Sequence, residues 1–200
     1  MGIDMKKFLH VGCGSKNKNF LKGFDQNWHE VRYDIDENVK PDIIGTITKM
    51  TFVESDSYDA IYSAHNLEHI FPHEVPYALE EFCRVLKPDG FALITCPDLQ
   101  SLGNILRRGD IWKTLYHSPA GPINALDILY GHRVSIQSGN EFMAHKGGFT
   151  ISFLQDNLLA AGFKKVYGIR RLNLFELWAI GFKDYADDNL IKTIVDTHIP

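Results

Sequence analysis

The chain has 200 residues, a length typical of one α/β domain with a full core. Lysine and arginine total 21 against 25 acidic residues, and a net charge of −4 does not favour a nucleic-acid-binding protein. The hydrophobic fraction of 44% is that of an ordinary globular protein, and no apolar run reaches the roughly 18 residues of a membrane span.

The cysteines and the N-terminus bear on location. Cys13, Cys83 and Cys96 are too few and too scattered for a disulfide framework. The N-terminal residues contain no apolar signal segment, and Lys6 stands where myristoylation of Gly2 needs Ser or Thr. These features predict a cytoplasmic protein.

Short apolar runs alternate with helical patterns along most of the chain, which predicts a parallel sheet with helices on both faces. In chain order we expect a strand at 8–11, a helix at 20–24, strands at 30–33, 43–44 and 58–63, a helix at 73–86 and a strand at 91–95. The turn Lys87-Pro88-Asp89-Gly90 is expected to end the second helix, with Gly90 at positive φ. A helix at 150–161, closed by Gly162, and strands at 165–169 and 175–182 complete the pattern.

Residues 102–148 break this rhythm. A segment this long without a clear pattern is usually functional, so we expect an insertion over the carboxyl edge of the sheet, where α/β proteins bind ligands. Its rings, donors and cations together are candidate contacts for a substrate, although each one alone is more readily explained as a solvated loop side chain. They are Tyr116, His117, Tyr130, His132, Arg133 and His145.

A glycine turn follows the first predicted strand. In FLHVGCGSKNKNF, Gly12 and Gly14 allow the backbone to turn tightly and to approach a ligand closely. The third glycine of a dinucleotide-binding turn is replaced by Asn17, so the match to that pattern is incomplete. Asp34 ends the second strand, where a carboxylate accepts hydrogen bonds from ribose hydroxyls.

Four segments occur in a recognisable order: HVGCGSKN, VRYDID, SYDAIYSAHNLEHI and ALEEFCRVLKPDGFALITCPDL. In this order the chain resembles the class I S-adenosylmethionine-dependent methyltransferases, of the small type related to those of quinone biosynthesis. The resemblance implies one domain over residues 1–200, with the insertion at 102–148. Its fold would be a doubly wound (Rossmann-like) seven-stranded α/β sheet whose last strand is antiparallel.

The resemblance also implies a cofactor site for S-adenosylmethionine. Asp34 would hold the ribose hydroxyls, Ile35 would lie against the adenine, and the fourth-strand exit would pass the methionine end. The implied cofactor-binding residues are Gly12, Cys13, Gly14, Asp34, Ile35, Thr46, Ile47, Ser63, Ala64 and His65.

Two histidines follow the fourth strand. His65 and His69 are candidate catalytic residues beside the reacting methyl group, where a base is needed only if the acceptor must lose a proton. His69 is equally well explained as a cap on the exit loop. Residues 65–69 also match H-x-x-E-H, a zinc-peptidase signature, but Pro72 and the preceding strand argue against the helix it needs, and we expect no metal.

The sequence therefore predicts methyl transfer from S-adenosylmethionine to a small-molecule or glycan-linked acceptor. O-, N- and C-methylation stay open, as does the oligomeric state. A nucleic-acid partner and a membrane span are not expected. The alternatives are a non-catalytic S-adenosylmethionine-binding protein and, less favoured, a zinc hydrolase using His65 and His69.

Overall fold

The computed structural model describes residues 5–200, so Gly2, considered above for lipidation, lies outside them. The described residues form a seven-stranded sheet in the order β3-β2-β1-β4-β5-β9-β8, and a separate hairpin of β6 and β7. The strands are β1 (Lys6–Val11), β2 (Trp28–Asp34), β3 (Ile43–Ile44), β4 (Tyr58–Ala64), β5 (Leu86–Pro97), β6 (Tyr116–Ser118), β7 (Gly121–Ile123), β8 (Lys165–Arg171) and β9 (Glu176–Phe182). The helices are α1 (Val75–Val85), α2 (Gly103–Arg108), α3 (Ala125–Tyr130), α4 (Arg133–Gln137), α5 (Ile151–Ala160) and α6 (Asp188–His198).

The sheet has the predicted topology. Strands β3, β2, β1, β4 and β5 are parallel, and β9, the last strand in the chain, runs antiparallel between β5 and β8. The central strand β1 pairs with both neighbours, with Leu9 opposite Val31 on one side and Ile61 on the other. The expected doubly wound α/β fold is confirmed.

One face of the sheet is covered by α1 and α5. Side chains alternate along a strand, so Leu9 and Val11 of β1 share this face, where they belong to one core cluster with Phe82 of α1 and Leu154 of α5. Thr150 accepts a hydrogen bond from the Phe153 amide and begins α5 where the sequence predicted it.

The opposite face differs from the prediction. Between β1 and β2 the expected helix at 20–24 is replaced by a single 3-10 turn, Lys18–Phe20, which is capped by the Asn17 side chain and ends in extended backbone at Leu21. The C-terminal helix α6, which the sequence analysis missed, covers this face: Ile191 belongs to the same core cluster as Phe8 of β1.

The predicted turn at residues 87–90 is also corrected. Leu86–Pro97 is one strand, and the pairing with β4 slips between Tyr58 opposite Leu86 and Ala60 opposite Phe91. Gly90 does not adopt positive φ. A Cβ there would lie 3.0 Å from the Lys87 carbonyl oxygen, so close backbone approach explains the glycine.

The insertion contains α2, the β6–β7 hairpin, α3 and α4, with a small core of its own around Leu102 and Ile128. Its C-terminal end returns to the carboxyl edge of the sheet, where the amides of Lys146 and Gly147 donate to the Glu68 carbonyl over 2.8 and 3.1 Å. Among the described helices, none has the length and apolar character that crossing a membrane requires.

Candidate active site

A cavity of about 360 Å³ opens where parallel strands β1 to β4 end. Gly12, Asp34, Gly45 and His65 stand at or just after those four strand ends, and all four line it. Its volume lies within the roughly 300–1,000 Å³ range of small-ligand pockets. Of the sequence-predicted site residues, the cavity is lined by Gly12, Gly14, Asp34, Ile35, Thr46, Ile47, His65 and His69.

The glycine turn has the geometry that its sequence indicates. Gly12 has φ of +62°, and a Cβ there would lie 2.6 Å from Cγ of Asn66. Gly14 has φ of +53° and open space on the side where a side chain would be. The turn therefore brings bare backbone to the cavity at a point that any side chain would obstruct.

Asp34 is held in place by backbone amides. Oδ2 accepts a hydrogen bond from the Gly14 amide over 2.8 Å, and Oδ1 accepts one from the Asp36 amide over 3.0 Å. An ionised carboxylate offers about four lone-pair sites, so two remain for a ligand. The carboxylate is thus oriented before any ligand arrives.

Arg32, which sequence reasoning missed, holds the loops around this carboxylate. Its guanidinium donates to the backbone carbonyls of Gly14, Lys16, Val39 and Lys40. One side chain therefore ties the glycine turn to the loop after β2. The sequence VRYD alternates apolar and polar residues, as a strand with one buried face does. That pattern did not indicate this role, because an arginine in such a strand more often faces solvent.

His65 occupies a turn of the backbone at the exit of β4. Its φ is +48°, a left-handed conformation that costs free energy outside glycine. Its ring lies between two glutamates, with Nδ1 3.4 Å from Glu68 and Nε2 3.4 Å from Glu176. Desolvation opposes charging of the ring, but the two carboxylates outweigh it and raise the pKa of His65 to about 9. His65 is therefore a cation at neutral pH.

Glu68 is almost fully buried, at 1% exposure, and neither carboxylate oxygen accepts a hydrogen bond. Burial raises its pKa, but the neighbouring His65 ring outweighs burial and keeps the pKa below its usual value. The 3-10 turn Leu67–His69 excludes His65, so the helix face required by the zinc-peptidase motif is not formed.

His69 and His145 meet beside this carboxylate. Their ring centroids are 4.9 Å apart, and the rings are nearly perpendicular. His69 Nδ1 lies 3.0 Å from the Ala144 carbonyl oxygen, and His145 Nδ1 lies 2.9 Å from that of Ile128. Carbonyls only accept, so Nδ1 carries a proton in both rings, and in the neutral form of each ring the lone pair is on Nε2.

Several predicted site residues do not line the cavity. Cys13 is buried, and burial raises the pKa of its thiol to about 11, as expected of a packing residue. Ser63 is fully buried and Ala64 half-buried. The six predicted acceptor contacts are likewise outside the lining: Tyr116, His117, Tyr130, His132, Arg133 and His145.

Three of those six contact other side chains, two within the insertion and one just before β9. Tyr116 stacks on Phe175, His132 Nδ1 lies 2.8 Å from the Ser135 hydroxyl, and Arg133 is paired with buried Asp127 at 3.1 Å. The insertion instead lines the cavity through Lys146, the cation next to His145 in the sequence, and through three residues that sequence reasoning left out: Asn140, Phe142 and Met143. No spacing or motif distinguished these three from other loop residues.

Comparison with known proteins agrees with this geometry. Residues 9–94 match the family model of methyltransferase domains. The match covers 86 of the 200 residues, so the similarity to a methyltransferase domain applies to that part of the chain. S-adenosylmethionine is the cofactor of such a domain.

Solved structures, among them S-adenosylmethionine-dependent methyltransferases, share the fold of this chain. One from Methanosarcina mazei has 17% identity, a TM-score of 0.59 and covers 92% of this chain and 94% of its own. One from Archaeoglobus fulgidus has 14% identity, a TM-score of 0.56 and covers 88% and 85%. A protein from Pyrococcus horikoshii has 16% identity, a TM-score of 0.59 and covers 88% and 81%. No curated protein matches this sequence.

Proposed function

We propose that this protein transfers a methyl group from S-adenosylmethionine to a small-molecule or glycan-linked acceptor. The observation that carries the proposal is that the glycine turn, the Asp34 carboxylate and the two histidines His65 and His69 all line one cavity. The first two suit an adenosine bearing an amino acid, and the histidines supply polar groups for a second reactant.

The residues present fit the cofactor. Asp34 has two lone-pair sites left beyond its backbone bonds, enough for the two ribose hydroxyls. Ile35 is 52% exposed although it is a large apolar side chain lining the cavity, as expected of a residue that a flat base covers. Thr46 and Ile47 flank the same region, and the open space beside Gly14 leaves room for the rest of the molecule.

S-adenosylmethionine supplies a methyl group on a sulfonium, which leaves as a neutral thioether. The protein's own contribution is then chiefly alignment of the two reactants and exclusion of water. The insertion residues Phe142, Met143 and Lys146 also line the cavity and would close it over the acceptor.

The two histidines differ in what they can do. His65 is held as a cation between Glu68 and Glu176, so it acts by charge and position rather than by accepting a proton. His69 keeps a free Nε2 lone pair, because its Nδ1 donates to the Ala144 carbonyl. We therefore place His69 closer to the chemistry than His65.

Methyl transfer from isotopically labelled S-adenosylmethionine to a panel of hydroxylated and amino acceptors tests the proposal. Phe142→Ala should raise the acceptor KM while S-adenosylhomocysteine binding stays within a few-fold. Trp112→Ala, which removes an exposed ring of the insertion outside the cavity lining, is the matched control and should change neither. Tight S-adenosylhomocysteine binding with no transfer to any acceptor would favour a non-catalytic binding protein instead.

The quinone-biosynthesis relationship and the cytoplasmic location stay predictions. All three cysteines are free thiols, in keeping with a reducing compartment.

A further inference from the structure

One group of side chains meets beside the cavity and includes His69, the histidine placed closer to the chemistry above. It consists of Glu68, His69 and His145, and we propose that these three residues bind a divalent transition-metal ion of the Zn²⁺ class. The first two follow β4, and the third comes from the insertion, so the group exists only in the folded chain.

The three side chains are close enough to share one ion. One ligand atom from each lies within 4.8 Å of the others. In tetrahedral geometry, ligand atoms about 2.0–2.2 Å from a common Zn²⁺ are about 3.3–3.6 Å apart, so closing the site takes at most about 1.5 Å of side-chain approach. The amides of Lys146 and Gly147 donate to the Glu68 carbonyl and hold the insertion strand against this turn.

Both histidines are already set in the tautomer that a metal needs. Each Nδ1 donates to a backbone carbonyl, of Ala144 for His69 and of Ile128 for His145, which leaves each Nε2 as a lone-pair donor. In known metal sites the second ring nitrogen of a ligating histidine is fixed in this way by a carbonyl or a carboxylate. His132 instead places its Nδ1 against a hydroxyl and lies outside the group.

The Glu68 carboxylate supplies an independent observation. It is 1% exposed, both of its oxygens lack a hydrogen bond, and its nearest charge, His65 Nδ1, is 3.4 Å away. A buried carboxylate without hydrogen bonds is rare in native proteins because no hydrogen bond replaces those it made to water. A divalent cation bound between this carboxylate and the two Nε2 atoms would satisfy it.

The donor set indicates the kind of metal. Two imidazole nitrogens with one carboxylate suit Zn²⁺ and similar ions, whereas Mg²⁺ and Ca²⁺ prefer oxygen ligands throughout. Three protein ligands leave a coordination position for a further ligand. The H-x-x-E-H motif drew attention to His65 and His69 as a pair, but in the structure His145 replaces His65 as the second histidine.

The site also narrows the acceptor class, a step that rests on the proposed function. His69 lines the cavity, so the fourth position is reached from the acceptor side. An acceptor with a hydroxyl could bind there through oxygen, which lowers the pKa of the hydroxyl. The hydroxyl proton passes to water, the oxygen forms the bond to the methyl carbon, and the electron pair of the broken carbon–sulfur bond returns to sulfur.

Metal binding by the tag-free protein tests the site. We expect about one Zn²⁺ per chain by elemental analysis after Zn²⁺ loading and gel filtration. Competition with a chelating chromophore should show that Glu68→Gln and His145→Gln bind Zn²⁺ at least about 100-fold more weakly than the wild type. Removing a residue that only hydrogen-bonds to a metal ligand weakens metal binding by about 10–100-fold, so loss of a ligand itself should reach or exceed that range. His132→Gln is the control and should bind as the wild type does. Co²⁺ should give visible absorption bands in the wild type that both variants lose.

Each outcome bears on one claim. Wild-type protein without stoichiometric Zn²⁺, or variants that bind it as tightly as the wild type, would overturn the metal site. Thermal melts check folding, and should Glu68→Gln not fold, the half-buried His145→Gln decides. Calorimetry with S-adenosylhomocysteine on the same samples separates the two proposals: cofactor binding without Zn²⁺ refutes the site alone, whereas Zn²⁺ without cofactor binding refutes the proposed function.

Discussion

Removal of the Asp34 carboxylate should weaken cofactor binding far more than removal of its neighbour Asp36. Both side chains line the cavity two residues apart, and both are acidic. Only Asp34 accepts a hydrogen bond from the glycine turn, through Gly14. The side chain of Asp36 is used to cap the turn that follows, by accepting from the amide of Asn38 over 2.9 Å.

The size of the effect follows from the hydrogen bonds lost. A hydrogen bond to a charged acceptor contributes about 1.5–3 kcal/mol, and two ribose hydroxyls can bind the lone pairs that Asp34 leaves free. Taking about 3 kcal/mol for the pair, with 1.4 kcal/mol for each tenfold change, Asp34→Ala should lower affinity roughly 100-fold. Asp36→Ala should lower it no more than about threefold, since it removes only a local cap.

Calorimetric titration with S-adenosylhomocysteine, at one salt concentration, measures both variants against the wild type. Circular dichroism and a thermal melt establish that each variant is folded. Equal affinities for folded Asp34→Ala and wild-type protein would refute the assignment of the carboxylate to the ribose, and a larger loss at Asp36 would move the assignment by two residues.

Three further outcomes are expected. Gly12→Ala places a Cβ 2.6 Å from Asn66 at a φ of +62°. It should lower the free energy of unfolding, measured by urea titration, by about 1–2 kcal/mol and also weaken S-adenosylhomocysteine binding. No change in either quantity would contradict the geometry of the turn. Arg170→Met leaves the fully buried Asp98 without its 2.8 Å ion pair, so the free energy of unfolding, measured by urea titration, should fall by about 3 kcal/mol. A fall below about 1 kcal/mol would show that the ion pair does not matter for stability. Burial raises the pKa of the Cys13 thiol to about 11, so Cys13 should react slowly with iodoacetamide at pH 8 and faster as the pH approaches 11. Peptide mass spectrometry locates the label. Complete labelling of Cys13 in the native protein at pH 7 would contradict this prediction.

The strand pattern and the cofactor edge of the site were predictable from sequence for physical reasons. Buried parallel strands read as short apolar runs, and their carboxyl ends must meet at one edge. Gly12, Gly14 and Asp34 follow two such runs, so their meeting at one cavity follows from the order of elements alone. A glycine with positive φ in a turn leaves a strong sequence signal, as Gly162 does at the end of α5.

The rest depends on contacts between distant segments. The helix expected at 20–24 does not form because Asn17 caps a 3-10 turn and α6, from the other end of the chain, covers that face. Neither the apolar residues at 20–24 nor local propensity reveals that distant partner. The amphipathic pattern of α6 behind its Asp187 cap was present in the sequence and was overlooked.

The same limit applies to the acceptor side of the cavity. His145 was chosen for its chemistry but assigned to the acceptor, whereas the structure places it against His69, 76 positions earlier in the chain. That pairing is set by how the insertion folds back onto the Glu68 carbonyl, which no spacing encodes. Phe142 and Met143 gave no signal because apolar residues in a loop are common.

A crystal structure of the complex with S-adenosylhomocysteine would show directly where the nucleoside binds. Continuous density should run past Gly12 and Gly14, with both sugar hydroxyls within about 3.2 Å of the two Asp34 oxygens and the base over Ile35. Density for the nucleoside at any other place on the protein, or a sugar whose hydroxyls contact only water, would contradict the assignment on which the proposed methyl transfer rests.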